Sequence, residues 1–187
     1  MPRSSLLRPL RRSQQVLGVV ITGLVLHGCA PSSSSSGLNT PTVAEVIDGD
    51  TVVVDFDGNR EIVRLLGIDT PETVDPSRPE QCFGAEASTF LASVLPPGTP
   101  VRLERDVEAR DRFGRLLAYI FRAHDGRFVN RELVRNGYAD VAIFTPNTAY
   151  RNELEHDLAT AVTAKSGLWG VCDGPDAALD PPPVGVE

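Results

Sequence analysis

Long apolar runs are missing from this chain of 187 residues. The one extended apolar stretch, Val16 to Leu26, falls short of the roughly 20 residues a membrane-spanning helix needs. Histidine and cysteine are scarce, with three of each. Neither recurs at ligand-like spacing: His124 and His156 are isolated, and Cys82 and Cys172 lie far apart, which argues against a zinc-type site. No internal repeat is present. Positive charge is also in deficit, with 18 basic against 25 acidic residues and a formal net charge of −7. Residues 1–28 hold four of the arginines and no acid, so the remainder stands near −11. That balance is poor for general attraction to nucleic acid. Its distribution is uneven, however. Residues 101–135 carry nine arginines and six acids, a basic stripe that suits either a phosphate site or an ordinary solvated face.

The chain divides by composition. Residues 1–28 combine arginines with a short apolar run, the shape of a signal peptide. They end in Leu26-His-Gly-Cys29, which resembles a bacterial lipoprotein box with Cys29 as the lipid-modified residue. His27 is unusual there, and a plain secretory signal is the alternative. Residues 29–41 form a Ser-rich tether with nothing to bury. A domain of about 130 residues, 42–172, is large enough for its own core. Residues 173–187, with four acids and three consecutive prolines, read as a disordered tail. The expectation is an exported, monomeric envelope protein anchored to the membrane through Cys29, or secreted if Cys29 is not lipidated. With Cys29 assigned to lipid, Cys82 and Cys172 read as one disulfide in an oxidising compartment; two free buried thiols are the alternative.

Within the domain, the patterning predicts strands near 42–47, 51–55, 61–66, 101–105 and 115–121. A helix near 83–95 places Phe83, Ala87, Phe90, Leu91, Val94 and Leu95 at helical spacing, and Pro96-Pro97 end it. Asn130 is expected to cap a short second helix, with Val129 and Val134 as a hydrophobic staple and Gly137 as its stop. A third helix is expected over 147–166, with Leu154, Leu158, Ala161 and Val162 facing inward. Pattern alone gives an α+β class. Five short strands with interleaved helices match the five-stranded OB-fold β-barrel, with about three helices, an architecture that often binds oligonucleotides.

The stretch Ile62-Val-Arg-Leu-Leu-Gly-Ile-Asp-Thr-Pro-Glu72 concentrates the chemistry. It reads as a strand that ends in a Pro-stiffened turn. Val63 and Leu65 point one way and Arg64 the other. An arginine in such a run is costly to bury unless an anion meets it. Asp69 and Glu72 beside it suit a hard cation plus a phosphate; an internal Arg–Asp or Arg–Glu pair is the plainer alternative. Upstream, Val46-Ile-Asp-Gly-Asp50-Thr-Val-Val-Val54 is a hairpin signal, and Asp50 is a further acidic donor.

Five segments in order, IDGDT (47–51), VRLLGIDTPE (63–72), CFGAEA (82–87), DRFGRLLAYI (111–120) and LVRNGYADVA (133–142), together with Gly167-Leu-Trp169, resemble the staphylococcal nuclease, or thermonuclease-like, family over about residues 42–172. The resemblance implies the OB-fold and a calcium-dependent, sugar-nonspecific phosphodiesterase that hydrolyses DNA and RNA by in-line attack of water. It implies Ca²⁺ at Asp50, Asp69 and the Thr70 carbonyl, an all-oxygen shell of the kind calcium prefers. Glu72 matches the residue that orients or deprotonates the attacking water. Arg64 and Arg115 match the pair that grips the phosphate, for which planar guanidinium forks suit better than lysine.

The nucleotide-binding shell departs from the family. Phe113 stands where a tyrosine is usual, and Ile143 and Thr145 replace two tyrosines. The lysine-rich loop after the glutamate becomes 74–79, Val-Asp-Pro-Ser-Arg-Pro. A non-catalytic OB-fold module binding single strands or another envelope ligand is the rival reading. A glycosidase built on the acid pair fits less well, because two arginines beside it suit phosphate more than a neutral sugar.

Overall fold

β-Branched residues dominate the first strands, and their alternation sets which face is buried. β1 (Thr42–Val46) pairs antiparallel with β2 (Thr51–Phe56), and β2 with β3 (Asn59–Leu65). Val43, Val52, Val54, Val63 and Leu65 turn into the core, while Arg64 faces away from it. These strands belong to a computed structural model that describes residues 40–73, 80–172 and 174–177. The signal-peptide and Cys29 expectations, most of the tether, residues 74–79, and the tail from 178 onward fall outside the described residues.

The β1–β2 connection is wider than a two-residue turn. The Ile47 and Asp48 amides both donate to the Thr51 carbonyl (2.9 and 3.3 Å). The tight turn instead joins β2 to β3. Asp57 and Gly58 both take positive φ there, 56° and 90°, as an Asp-Gly primed hairpin demands.

β4 (Ile68–Asp69), α1 (Gly84–Val94), β5 (Val101–Glu104) and β6 (Leu116–Arg122) follow. The five-stranded sheet runs β1-β2-β3-β6-β5, antiparallel except for the parallel β3–β6 pair. Its two edges approach one another. Val43 N donates to Thr99 O (2.9 Å), Gly98 N to Val43 O (2.7 Å) and Val101 N to Pro41 O (2.8 Å). This is the curled sheet of an OB-fold, with helices packed on it. Beyond it come α2 (Val129–Arg135), β7 (Asp140–Val141), α3 (Arg151–Ala164) and a short α4 (Leu168–Val171). β7 pairs with β4, setting Asp140 opposite Asp69.

Several expectations are corrected in detail. Asn130 does not cap α2: the helix begins at Phe128–Val129, and Asn130 is fully buried. Its Nδ2 donates to Leu66 O (2.8 Å) and its Oδ1 accepts from Ile120 N (2.9 Å). It satisfies backbone groups where β3 and β6 separate. Val129 and Val134 lie inside the helix and in the core rather than forming a staple. α3 starts at Arg151, because Asn147 is drawn aside to bond both Glu108 N and Glu108 O (2.8 and 3.3 Å). Val162 is exposed, and the helix buries Asp157, paired with Arg131 of α2 (Nη2 to Oδ1, 2.9 Å). Phe83 and Phe90 stack on Tyr138, with centroids 5.5 and 4.1 Å away. The start of the expected tail, 174–177, is bonded to the domain: Cys82 N donates to Ala177 O (2.8 Å).

Cys82 and Cys172 form the expected disulfide, with Cα atoms 6.0 Å apart and a sequence separation of 90. Closing so long a loop is worth about 2–4 kcal/mol, mainly against the unfolded chain. Cys82→Ser is therefore expected to lower the melting temperature by several degrees and to remove its sensitivity to reductant. Thermal melts with and without reductant, with mass spectrometry of native thiols, check this.

Candidate active site

β3 ends by delivering Arg64 to a point where three segments meet. Its Nη1 donates to the carbonyls of Leu65 and Ile68, both at 3.0 Å, and pairs with Asp50 Oδ2 at 2.9 Å. Its Nη2 donates to Asp69 Oδ1 at 2.7 Å. One guanidinium thus bridges the two aspartates singled out in the sequence. The internal Arg–Asp pair, weighed there as the plainer alternative, is present. Arg64 also lines an open cleft of about 760 Å³ shared with Asp69, Arg110, Arg112, Phe113 and Arg115, so the ion pair and the cleft are one site.

Asp50 lies behind this cleft, buried. Its Oδ2 accepts from Thr70 N (3.1 Å) and Thr70 Oγ1 (3.2 Å), and its Oδ1 from Thr51 Oγ1 (3.0 Å). Asp48, not singled out from the sequence, accepts from Asp50 N (3.0 Å) and shapes the turn. Gly49 permits the approach. A β-carbon there would lie 2.6 Å from Thr70 Oγ1 and 3.0 Å from Ala87 Cβ. The glycine serves close packing rather than a left-handed turn, since its φ is not positive.

Negative charge exceeds what Arg64 neutralises. Burial pushes the Asp50 carboxyl up to about 7; Arg64 opposes the rise, and Asp48 and Asp69 add to it. The Asp69 carboxyl is also raised, by desolvation first, against Arg64, with Asp176, Asp140 and Glu72 contributing repulsion. Like charges directly across a ladder, as Asp69 and Asp140 are, are destabilising. Two carboxylates that share a single guanidinium present oxygens of the kind a hard divalent cation takes. Among the described residues, no three acidic, histidine or cysteine side chains are gathered as metal ligands. The set inferred from the sequence, Asp50, Asp69 and the Thr70 carbonyl, uses two carboxylates.

Arg115 reaches the cleft from the loop before β6. Asp111 organises that loop: its Oδ1 accepts from Phe113 N and Arg115 N (both 2.9 Å) and its Oδ2 from Arg115 Nε (2.7 Å). Burial alone would raise the Asp111 carboxyl, but the bonds from Arg115 and Phe113 outweigh it and hold it below the usual range. Arg110 ties the loop to β3 through a two-pronged bond to Glu61, 2.9 Å on each arm. Phe113 is 69% exposed at the cleft, with the Arg112 guanidinium 4.7 Å from its centroid. Phe144, which the sequence reading passed over between Ile143 and Thr145, is 73% exposed and lines the same cleft. Its signal was an aromatic next to a position where the family carries one. Glu72 closes the Asp69–Glu72 turn, half-buried, its Oε1 accepting from Thr73 N (3.0 Å).

A curled five-stranded barrel with an acid pair, four cleft arginines and a neighbouring glutamate is an OB-fold domain whose cleft suits an anion such as phosphate. The family described as staphylococcal nuclease homologue matches residues 62–171. The Thermonuclease of Staphylococcus hyicus is 39% identical over 136 residues, covering 73% of this chain and 79% of its own length. The Thermonuclease of Staphylococcus intermedius is 37% identical over 160 residues, covering 82% and 94%. Endonuclease YncB of Bacillus subtilis is 36% identical over 144 residues, covering 76% and 67%. The chain belongs to the staphylococcal nuclease family.

The tight contact at Gly49 makes a direct prediction. Gly49→Ala forces the Thr70 side chain and the Ala87 methyl to shift, and should destabilise the fold by about 1–3 kcal/mol, the usual cost of overpacking. Chemical denaturation of the variant against the parent measures it.

Proposed function

We propose that this nuclease is calcium-dependent and hydrolyses the phosphodiester bonds of DNA and RNA alike. The observation that carries the reading is the single cleft shared by Arg64, Asp69 and Arg115, backed by buried Asp50. In this reading Asp50, Asp69 and the Thr70 carbonyl hold Ca²⁺. When bound, the ion supplies positive charge to the attacked phosphate and to the water beside it. The remaining work falls to side chains of the chain itself. Arg115, pinned at Nε by Asp111, offers donors to the phosphate as negative charge builds on its oxygens. Arg64 adds a second cation while keeping the two aspartates in register. Glu72 takes the proton of the attacking water, or orients that water in line with the leaving oxygen. The exposed rings of Phe113 and Phe144 supply apolar surface for bases, and no contact with the sugar's 2′-hydroxyl is called for.

Cleavage of one DNA and one RNA substrate by the purified protein, with calcium and with a chelator, is the primary test. Both should be cut with calcium and neither without it. At saturating calcium, Glu72→Gln should lower turnover roughly 10²–10⁴-fold if the carboxylate handles a proton. Its calcium requirement should change little. Arg115→Lys should cost about 10²–10³-fold despite keeping its charge, and Asp50→Ala should need far more calcium or lose activity. Near-native turnover in both Glu72→Gln and Arg115→Lys overturns the mechanism.

We also propose export, with residues 1–28 as the signal peptide and Cys29 carrying the lipid that holds the protein at the cell envelope. The composition of 1–28 and the oxidised Cys82–Cys172 pair support it, since such bonds persist outside the cytoplasm. Cys29→Ala should release the protein from membranes, read by fractionation. A variant that stays membrane-bound, or a parent already soluble after export, rejects the anchor.

A further inference from the structure

Glu72 and Gln81 are nine residues apart and bonded twice. Gln81 N donates to Glu72 O at 2.9 Å, and Glu72 N donates to Gln81 Oε1 at 2.6 Å. One residue satisfies both backbone groups of Glu72, with one main-chain and one side-chain bond. That bracket fixes the peptide planes on either side of Glu72 and so the direction in which its side chain leaves the backbone.

Gln81 is itself held from several directions. The next residue, Cys82, is joined covalently to Cys172, and its amide donates to Ala177 O at 2.8 Å. Gln81 Nε2 donates to Asp176 Oδ1 at 3.4 Å, and Gln81 O accepts from Gly84 N at 3.1 Å. Gly84, the first residue of α1, presses on the same turn from the other side. A β-carbon there would lie 2.5 Å from Thr73 Cγ2, 3.0 Å from Pro71 O and 3.1 Å from Glu72 O. The primary amide is matched to its place. It accepts from Glu72 N while donating to Asp176, which neither a carboxylate nor an apolar side chain can do.

We propose that Gln81 is a positioning residue of this nuclease: it fixes the Glu72 carboxylate relative to Asp69 and Thr70. The Cys82–Cys172 disulfide and the docked 174–177 segment in turn fix Gln81. The inference rests on the reading of Glu72 as the residue that handles the attacking water. Gln81 bonds to neither Asp50 nor Asp69 and does not line the cleft, so its effect falls on turnover more than on substrate and calcium binding.

Gln81→Met keeps the length of the side chain and removes its acceptor. Steady-state cleavage of DNA should show kcat lowered about 10–100-fold, the scale that a misplacement of about 1 Å produces. KM and the half-saturating calcium concentration should be unchanged. The same substitution made in a Glu72→Gln background should add less than about threefold, because a residue acting through Glu72 has nothing left to position. Equal losses in both backgrounds, or a near-native kcat for Gln81→Met alone, overturn the proposal. A near-native Glu72→Gln parent rejects the role of Glu72 and the proposal with it, and is told apart because that variant fails by itself. Gly84→Ala, which crowds the same turn while leaving the Gln81 side chain in place, is the second variant if Gln81→Met does not fold. It should show the same kcat loss and the same non-additivity with Glu72→Gln, and an additive loss overturns the proposal.

Discussion

The Arg64 guanidinium is the interaction on which the site depends. It leaves the end of β3 and joins Asp50, from the β1–β2 connection, to Asp69, from β4, while also closing on the carbonyls of Leu65 and Ile68. Taking a carboxylate as buried as Asp50 out of water is costly, and a buried ion pair adds little net stability even when well made. Its removal is another matter, because the partner left behind is an unpaired buried charge, worth about 3–5 kcal/mol. What the pair provides is register. Thr70 donates twice to the same carboxylate, Gly49 lets the Asp48–Asp50 turn come down on Thr70, and Ala87 of α1 packs against that contact. The barrel end, the short β4–β7 ladder and the first helix are thereby locked to one another at a charged centre.

That centre explains how a chain with a net charge of −7 can be built to handle a polyanion. Long-range attraction is weak for such a protein, so the phosphate must be met locally. The arginines that line the cleft do this, and the loop of Arg110 and Arg115 is braced by acids placed behind it. Asp111 turns back on Arg115, and Glu61 holds Arg110. Asp69 lies among these arginines in the cleft, and Asp50 and Asp140 bring further negative charge close to it. A cleft lined by several arginines presents local cationic donors to a phosphate in spite of the chain's overall negative charge.

Much of the barrel and the acid pair was legible in the sequence, for local reasons. The β-branched run Thr51–Val54, the valine–arginine–leucine pattern of 63–65 and the turn residues after them are contained within a few positions. The cysteine pair was legible because assigning Cys29 to lipid left Cys82 and Cys172, and an oxidising compartment favours their bond over two free thiols. Contacts that join distant segments were not legible. Asn130 looked like a helix cap because short polar residues before apolar runs commonly are; only the meeting of α2 with Leu66 and Ile120 turns it into a buried bracket. Val162 fitted the inward face of an ideal helix, and the Arg131–Asp157 pair instead decides how α3 sits on α2. Gln81 and Asp176 carry no local mark at all, since each acquires its role from a backbone group or charge brought near by the fold. The start of the expected tail is ordered for the same kind of reason, the bond between Cys82 N and Ala177 O.

The Cys82–Cys172 bond turns most of the domain into a closed covalent ring that contains α1, β5, β6, α2, β7, α3 and α4. A peptide bond cut anywhere in that ring opens the chain without dividing it. The two new ends stay on one molecule, and the effective concentration of one fragment about the other is that of a tethered pair rather than of free pieces. The loop bearing Arg115 and the connection bearing Phe144 both lie inside the ring. Nicked at an exposed loop of that ring, such an enzyme keeps its acid pair, on the β1–β2 connection and β4, in one molecule with the arginine that completes its cleft.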